Sequence, residues 1–249
     1  MGCDAKERMY HRYQSSIRGE GKLSLKDLRC WVGYYRAHYS RWLPADRKAR
    51  ILEIGCGYGR FLHFLRSEGY VDVYGIDVSP EQIRYARRFG FTQIEEVSAH
   101  DFLRNKADKY DAIVMLDVLE HFEKEEAVRL LDAICASLIK TGRLILQLPN
   151  ALAPLNIYRY GDFTHETAFT PASITQLLRM THFHHIQTHP LTPHIHGPKS
   201  LLINLMWRVV WQNLIRFYMW SANGNLMGDI YTGNFVAVAE KGAAESRRD

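Results

Sequence analysis

Residues 51–59 read Ile51-Leu52-Glu53-Ile54-Gly55-Cys56-Gly57-Tyr58-Gly59, an apolar run holding one acid and closed by three alternate glycines. A short apolar run that ends in glycine suits a strand buried on both faces. The glycines let the backbone turn sharply and approach a ligand with no side chain in the way. The next apolar run, 73–77, ends in Asp77. That carboxylate comes about 20 residues after the glycines, the spacing at which an acid ending a second parallel strand takes ribose hydroxyls. Arg60 stands where a nicotinamide fingerprint would carry another glycine, so the segment departs from that pattern.

Outward from this point the pattern alternates. Apolar runs predict strands at 51–54, 73–77, 94–97, 111–116, 143–148, 183–188 and 234–240, with helices at 59–68, 80–89, 123–139 and 171–180. Ser79-Pro80-Glu81 is a helix start, with Ser at the cap and Pro in the first turn. Lys140-Thr141-Gly142 reads as a helix end leading into the fifth strand. Such alternation predicts an α/β, doubly wound, mostly parallel sheet with its ligand at the carboxyl ends of the strands. Residues 1–45 read as a helical cap rich in aromatics, and 46–249 as the main domain. The long 189–233 connection reads as a lid or insertion before the last strand.

Within that connection, 201–220 is apolar except for Asn213 and for Asn204, Arg208, Gln212 and Arg216, which recur every fourth residue and form one polar stripe on a helix. Two arginines make spanning a bilayer costly. Three roles stay open: packing on the protein's own lid, a homodimer interface, or a peripheral membrane contact anchored by tryptophan.

Taken together, Glu53, the three glycines, Asp77 and the segments after the third, fourth and fifth strands resemble the class I S-adenosylmethionine (SAM) methyltransferases. Within that class they resemble the sugar and ubiquinone-pathway O-methyltransferases. The resemblance covers roughly 45–185 and implies a seven-stranded sheet whose last two strands are antiparallel. It implies that Gly55, Cys56, Gly57 and Gly59 pass beside the methionine part of SAM, with Leu116 at the neighbouring strand end, and that Glu53 orients the ligand amino group. Asp77 would take the ribose hydroxyls and Val78 would pack near adenine. Asp101 would accept the adenine amino group while Phe102 stacks on the ring; the bland alternatives are a helix cap for Asp101 and core packing for Phe102.

The resemblance also carries a candidate metal set. Related RNA and quinone enzymes have Glu-x-x-Glu-His after the fourth strand and a later His. This chain has Asp117, Glu120 and His121, and then His165 within Gly161-Asp162-Phe163-Thr164-His165. A bound divalent metal (Mg, Mn or similar) would depress the pKa of an acceptor hydroxyl, and mixed carboxylate and imidazole ligands favour Mn²⁺, Fe²⁺, Co²⁺ or Zn²⁺ over Mg²⁺. Two other readings stay open: His121 or His165 as a metal-free general base, and Glu120-His121 as no more than a helix start. Most of the histidines from His182 to His196 read as surface or lid residues, with one or two left open to reach the acceptor pocket.

Composition narrows the setting. Apolar content of 47% over 249 residues supports a sizeable core. Four scattered cysteines without metal spacing, and no secretory signal, point to the cytoplasm, with the inner face of the membrane as the place for any peripheral contact. Residues 1–50 carry twelve Lys/Arg against five Asp/Glu, which suits an anionic acceptor or a lipid surface. The overall net charge is only +5, and no separate RNA-binding module is visible, so a nucleic-acid partner is not expected. The expected activity is SAM-dependent O-methylation of a hydroxyl, first of a sugar in a cell-surface glycan, glycolipid or nucleotide-linked sugar. The rival acceptor is a polyprenyl-quinone or other phenol, and the rival outside catalysis is a SAM-binding protein without turnover.

Overall fold

The structure, a computed structural model, describes residues 9–11, 13, 15, 23–104, 106, 107, 109–224 and 228–242. Much of the expected N-terminal helical stretch lies outside the described residues.

Seven strands form one sheet: β1 (Ile51–Ile54), β2 (Val73–Asp77), β3 (Ile94–Glu96), β4 (Tyr110–Leu116), β5 (Leu138–Pro149), β6 (Phe183–Pro190) and β7 (Asn234–Lys241). Their order is β3-β2-β1-β4-β5-β7-β6. The pairs from β3 to β5 are parallel, and β7 lies antiparallel between β5 and β6. The expected doubly wound sheet with an antiparallel final pair is therefore present.

Alternation along the strands divides the core into two layers. Leu52, Ile54, Ile113, Met115, Leu144 and Leu146 pack on one side, with α5 (Ala99–Leu103), α6 (Lys124–Ser137) and α7 (Pro171–Met180). Ile51, Val73, Ala112, Val114, Ile145 and Val238 face the other, where α1 (Leu25–Arg29), α2 (Val32–Tyr39), α3 (Arg60–Ser67) and α4 (Pro80–Arg88) lie. The aromatics of α2 belong to this core: Tyr35 meets Phe61 edge-on at 5.1 Å, and Tyr39 is fully buried. Ser79 caps α4 as expected, accepting from the Gln82 amide, with Pro80 in the first turn.

One boundary differs from the sequence reading. Helix α6 stops at Ser137, and β5 begins at Leu138 rather than at 143. Lys140-Thr141-Gly142 is a bulge inside the strand: Tyr110 pairs with Leu138, but Ala112 pairs with Arg143. A side chain at Gly142 would press on the Ile139 and Tyr110 carbonyl oxygens, at 2.9 and 3.0 Å.

The 189–233 connection carries one long helical segment, α8 (Pro198–Met206), a π-helical turn (Trp207–Trp211) and α9 (Gln212–Asn223). A polar stripe at every fourth residue drifts around a regular α-helix. The wider π turn takes up that drift. Ser200 and Asn204 are buried and Gln212 and Arg216 half-buried on the side facing the protein, while Arg208 is exposed.

Candidate functional site

The glycine loop leaves β1 with Gly55, Gly57 and Gly59 all at positive φ (71°, 53° and 92°). Other residues rarely adopt such angles. Sterics add to this at two of them: a Cβ on Gly55 would overlap Val118, and one on Gly59 would lie 2.5 Å from the Phe91 ring. Asp77, at the end of β2, holds the loop. Its two carboxylate oxygens accept from the Gly57 amide at 2.8 Å and the Ser79 amide at 2.8 Å. Burial raises its pKa, against the pull of those amide bonds.

Beside the loop lies a cleft of about 550 Å³, within the usual range for a small-molecule site. Glu53, Gly55, Cys56, Gly57 and Tyr58 form its floor, Leu116 and Asp117 one wall, and Trp31, Tyr34 and Tyr35 the roof. Glu53 is buried, and its Oε2 has no hydrogen-bond partner. Burial pushes its carboxyl well above the usual range, and Arg60 across the cleft opposes that. The Arg60 guanidinium lies over the Trp31 and Tyr58 rings, 4.9 and 5.2 Å from their centroids. A buried carboxylate with one oxygen free of hydrogen bonds and a half-buried guanidinium, next to a bare backbone turn, fit an amino-acid group with one cation and one anion. The methionine end of SAM is such a group.

The adenine side is less complete than the sequence implied. Phe102 lies in the core, stacked on Tyr74 at 5.3 Å. It packs there because its helix turns that side of the chain into the sheet layer. Asp101 is bound into the cap of its own helix, where the Ser98 hydroxyl accepts from its amide and donates to its carboxylate, and it pairs with Arg104 at 3.0 Å. Both bland alternatives describe these residues. Val78 is exposed beyond the β2 tip, where a ring could cover it.

Asp117 also departs from its expected place. The structure gives it positive φ (56°) and turns it into the cleft. There it accepts from Gln147 Nε2 at 2.5 Å and Asn234 Nδ2 at 2.9 Å, and Tyr39 donates in turn to Gln147. Burial raises its pKa to about 6, although the Gln147 bond pulls the other way. Two amide donors hold it away from the cluster that its short arm was expected to join.

That cluster is formed by Glu120, His121 and His165, whose candidate ligand atoms lie within 4.8 Å of one another. Glu120 and His121 sit on a 3₁₀ turn (Leu119–His121) after β4. The 161–166 segment is tied to this turn by the Glu166 and Thr167 amides, which donate to the Glu120 carbonyl. Glu120 is 1% exposed, and neither carboxylate oxygen has a hydrogen-bond partner. Burial and the nearby Asp117 push its carboxyl well above the usual range. His121 Nδ1 meets the Thr164 hydroxyl at 2.8 Å, and His165 Nδ1 meets the Arg159 carbonyl at 3.0 Å. Burial holds His165 below its ordinary pKa, outweighing the Arg159 carbonyl. The donor set fits a divalent cation: two oriented imidazoles and one buried carboxylate that lacks a counterion.

Three residues here had no assigned role in the sequence reading. Tyr10 and Tyr13 stand edge-on to His121, at 6.0 and 6.2 Å. Tyr13 donates to Asp162 at 2.6 Å. Burial pushes Asp162 up, but bonds from Thr164 and Tyr13 outweigh it and leave the carboxyl below its usual range. The Asp-x-Thr-His spacing was a visible signal for Asp162; nothing in the local sequence ties Tyr10 or Tyr13 to a histidine far along the chain. The later histidines stay outside this cluster: His189 packs on Trp42 at 4.5 Å, and His182, His184 and His185 are exposed around a bulge.

A seven-stranded sheet with this order, a positive-φ glycine loop and an acid at the β2 tip define a SAM-binding fold of the class I type. A family model described as a methyltransferase domain matches residues 31–191, and the chain belongs to that SAM-dependent family. The ubiquinone biosynthesis O-methyltransferase of Xylella fastidiosa is 30% identical over 159 residues, 55% of this chain and 61% of that one. The match therefore spans less than two thirds of that relative. Among solved structures, a SAM-dependent methyltransferase from Archaeoglobus fulgidus shares the fold, with TM-score 0.58 and 18% identity over 93% of this chain and 99% of that one. So does phosphoethanolamine N-methyltransferase 2 of Haemonchus contortus in complex with SAM, with TM-score 0.64 and 15% identity over 97% of this chain and 61% of that one.

Proposed function

We propose that the protein transfers the methyl group of SAM to a hydroxyl oxygen, and that the acceptor is held at Glu120, His121 and His165. The observation that carries this reading is Glu120: a buried carboxylate with no hydrogen-bond partner, 3.8 Å from His165 Nε2. Isolating such a group is costly unless a cation or a reacting proton uses it.

When bound, SAM supplies an electrophilic sulfonium methyl, which passes to the acceptor oxygen as the carbon–sulfur bond breaks and S-adenosylhomocysteine leaves. Glu53 and Arg60 hold the amino and carboxylate groups of the methionine end. Asp77 keeps the glycine loop in shape and offers its carboxylate to the ribose. The acceptor hydroxyl loses its proton towards His165 Nε2, whose depressed pKa keeps the imidazole neutral at pH 7. The alternative use of Glu120, His121 and His165 is to hold a divalent cation, which would supply Lewis-acid polarisation of that hydroxyl in place of proton transfer to His165. Positioning carries much of the rate, since the oxygen must lie about 3 Å from the methyl carbon and in line with sulfur. Trp31, Tyr34 and Tyr35 roof the cofactor cleft, and Leu191, Pro193 and Trp207 close its edge.

For the acceptor we place a phenol of the polyprenyl-quinone kind first. Tyr10 and Tyr13 make an aromatic wall beside His121, suited to a planar ring. The similarity to the ubiquinone biosynthesis O-methyltransferase of Xylella supports the same choice. A sugar hydroxyl, first in the sequence reading, is the second reading. It draws on the exposed Phe163, a face on which a sugar ring can stack, next to the Asp162 carboxylate. The test is release of S-adenosylhomocysteine from purified protein with catechols and quinols against nucleotide sugars and glycolipids. Turnover with the phenols alone supports the first reading, and with the sugars alone the second. Tight SAM binding without turnover on either panel would leave the non-catalytic reading.

A further inference from the structure

The segment 198–223 is an inverted amphipathic helix. Apart from the exposed Arg208, its polar residues turn towards the protein: Asn204 Nδ2 donates to the Pro193 carbonyl at 2.9 Å, Ser200 accepts from the His196 amide at 2.8 Å, and the half-buried Arg216 pairs with Asp229 at 3.0 Å. Its outer face is apolar apart from Arg208 and Asn213, with Leu202, Leu205, Trp211, Leu214, Phe217 and Trp220 all more than half exposed. Contiguous apolar exposure of this size is uncommon on a surface that meets only water. Polar side chains turned inward also rule out packing on the protein's own lid as the use of the outer face.

We infer that this face docks on an anionic lipid surface, lying in the headgroup layer with Trp211, Phe217 and Trp220 as anchors. Among the described residues no helix is long and apolar enough to cross a membrane, so the segment lies on the bilayer. Charge selects this occupant over a second copy. Residues 198–223 contain Lys199, Arg208 and Arg216 and no Asp or Glu. Arg208 is exposed and sits near the middle of the segment. A two-fold helix pair would bring it close to the same residue of the other copy, with no acid on the segment to compensate. Against anionic headgroups the same cations are favourable, and an arginine at the helix edge can reach the phosphates while its stem stays apolar. Trp207, on the inward side, lines the cleft beside the glycine loop. Docking therefore sets that cleft close to the lipid, where a lipid-borne acceptor would enter. The entry step rests on the proposed methyl transfer; the docking does not.

The test is co-sedimentation of the full chain with phosphatidylcholine vesicles, with and without phosphatidylglycerol, over a range of salt. The protein is expected to pellet with the anionic vesicles at low salt and to be released as salt rises. The combined variant Trp211→Ser, Leu214→Ser, Phe217→Ser is expected to bind at least about tenfold more weakly. Lys199→Glu with Arg208→Glu should remove the preference for phosphatidylglycerol while leaving the apolar face intact. Calorimetry with SAM reports folding of each variant and is expected to be unchanged, as is turnover of a soluble catechol. Failure of the methyl-transfer reading would show in that turnover and leave vesicle binding untouched. The inference is overturned if the wild-type chain stays in the supernatant with anionic vesicles at low salt. It is overturned too if the charge-reversed variant binds them as well as wild type, or if the chain is a dimer without lipid and only the serine variant is monomeric.

Discussion

His165 Nε2 stands 3.8 Å from Glu120 Oε1, and both side chains are almost fully buried. One comes from the turn after β4 and the other from the loop before α7, so the pair exists only because the Glu120 carbonyl accepts from the amides of Glu166 and Thr167. With His121 they are the ligand set proposed for a divalent cation. Titration with Co²⁺ is expected to give visible absorption bands that disappear in Glu120→Gln and His165→Ala. Exhaustive chelation should lower methyl transfer at least about tenfold, with rescue by Mn²⁺, Co²⁺ or Zn²⁺. Silent spectra together with full activity after chelation would remove the metal and leave His165 as a base alone.

Binding and chemistry should separate by residue. His165→Ala is expected to abolish turnover while SAM affinity, read by calorimetry, stays within about twofold, because the imidazole lies outside the cofactor cleft. Asp77→Ala should do the reverse and weaken SAM roughly 10- to 100-fold, since it loses the ribose contact and releases the Gly57 amide. Equal loss of cofactor in both variants would show that no such division exists.

Glu53 should make SAM affinity depend on pH. Its carboxyl is raised by burial in the free protein, and the ligand ammonium favours the ionised form. Binding therefore releases a proton, and affinity rises with pH above the ordinary carboxylate range. Calorimetry in buffers of different ionisation enthalpy counts that proton. Stability of the free protein runs the other way. A carboxyl raised on folding contributes stability that is fully present below its unfolded pKa and is lost as pH rises through the folded value. Glu53→Gln should flatten both pH profiles and weaken SAM roughly tenfold. A steep profile surviving in Glu53→Gln would assign the titration elsewhere.

Gly59→Ala is expected to destabilise the fold by about 1–3 kcal/mol, because φ of 92° is strained for alanine and the new methyl meets Phe91 at 2.5 Å. Thermal melting with and without SAM checks this, and an unchanged midpoint would mean that the loop relaxes freely.

Tyr39→Phe removes the donor to Gln147 in the buried chain that runs from Tyr39 through Gln147 to Asp117. It should lower stability by about 1–2 kcal/mol, through an acceptor left unsatisfied. Asp117 should then titrate away from its value of about 6, as Gln147 is freed to turn. A carboxyl NMR titration reads that shift.

Much of the sheet was legible because strand burial is written locally. Runs such as Ile51–Ile54 and Tyr110–Leu116 sit between other strands under helices, so nearly every position is apolar. The start of β5 was not legible, since a bulge at Lys140-Thr141-Gly142 has the same residues as a helix end. The cofactor loop was legible for a similar reason: positive φ at three alternate positions demands glycine. Phe102 and Asp101 misled because a residue near a strand tip can face either the ligand or the core, and rotation of one short helix decides which. Asp117 misled because its partners, Gln147 and Asn234, come from β5 and β7.

Local chemistry by itself determined the strand–helix alternation, the glycine turn with its two acids, and the every-fourth-residue stripe in 201–220, since backbone conformation and burial act over a few residues. Tertiary packing alone decided which acid stays unpartnered, that Tyr10 and Tyr13 wall His121, and that Ser200 and Asn204 turn inward while Arg208 and an apolar face stay outside. Those outcomes depend on which distant segments meet, and the free energy of an isolated charge or an uncovered apolar face is set by its neighbours in space.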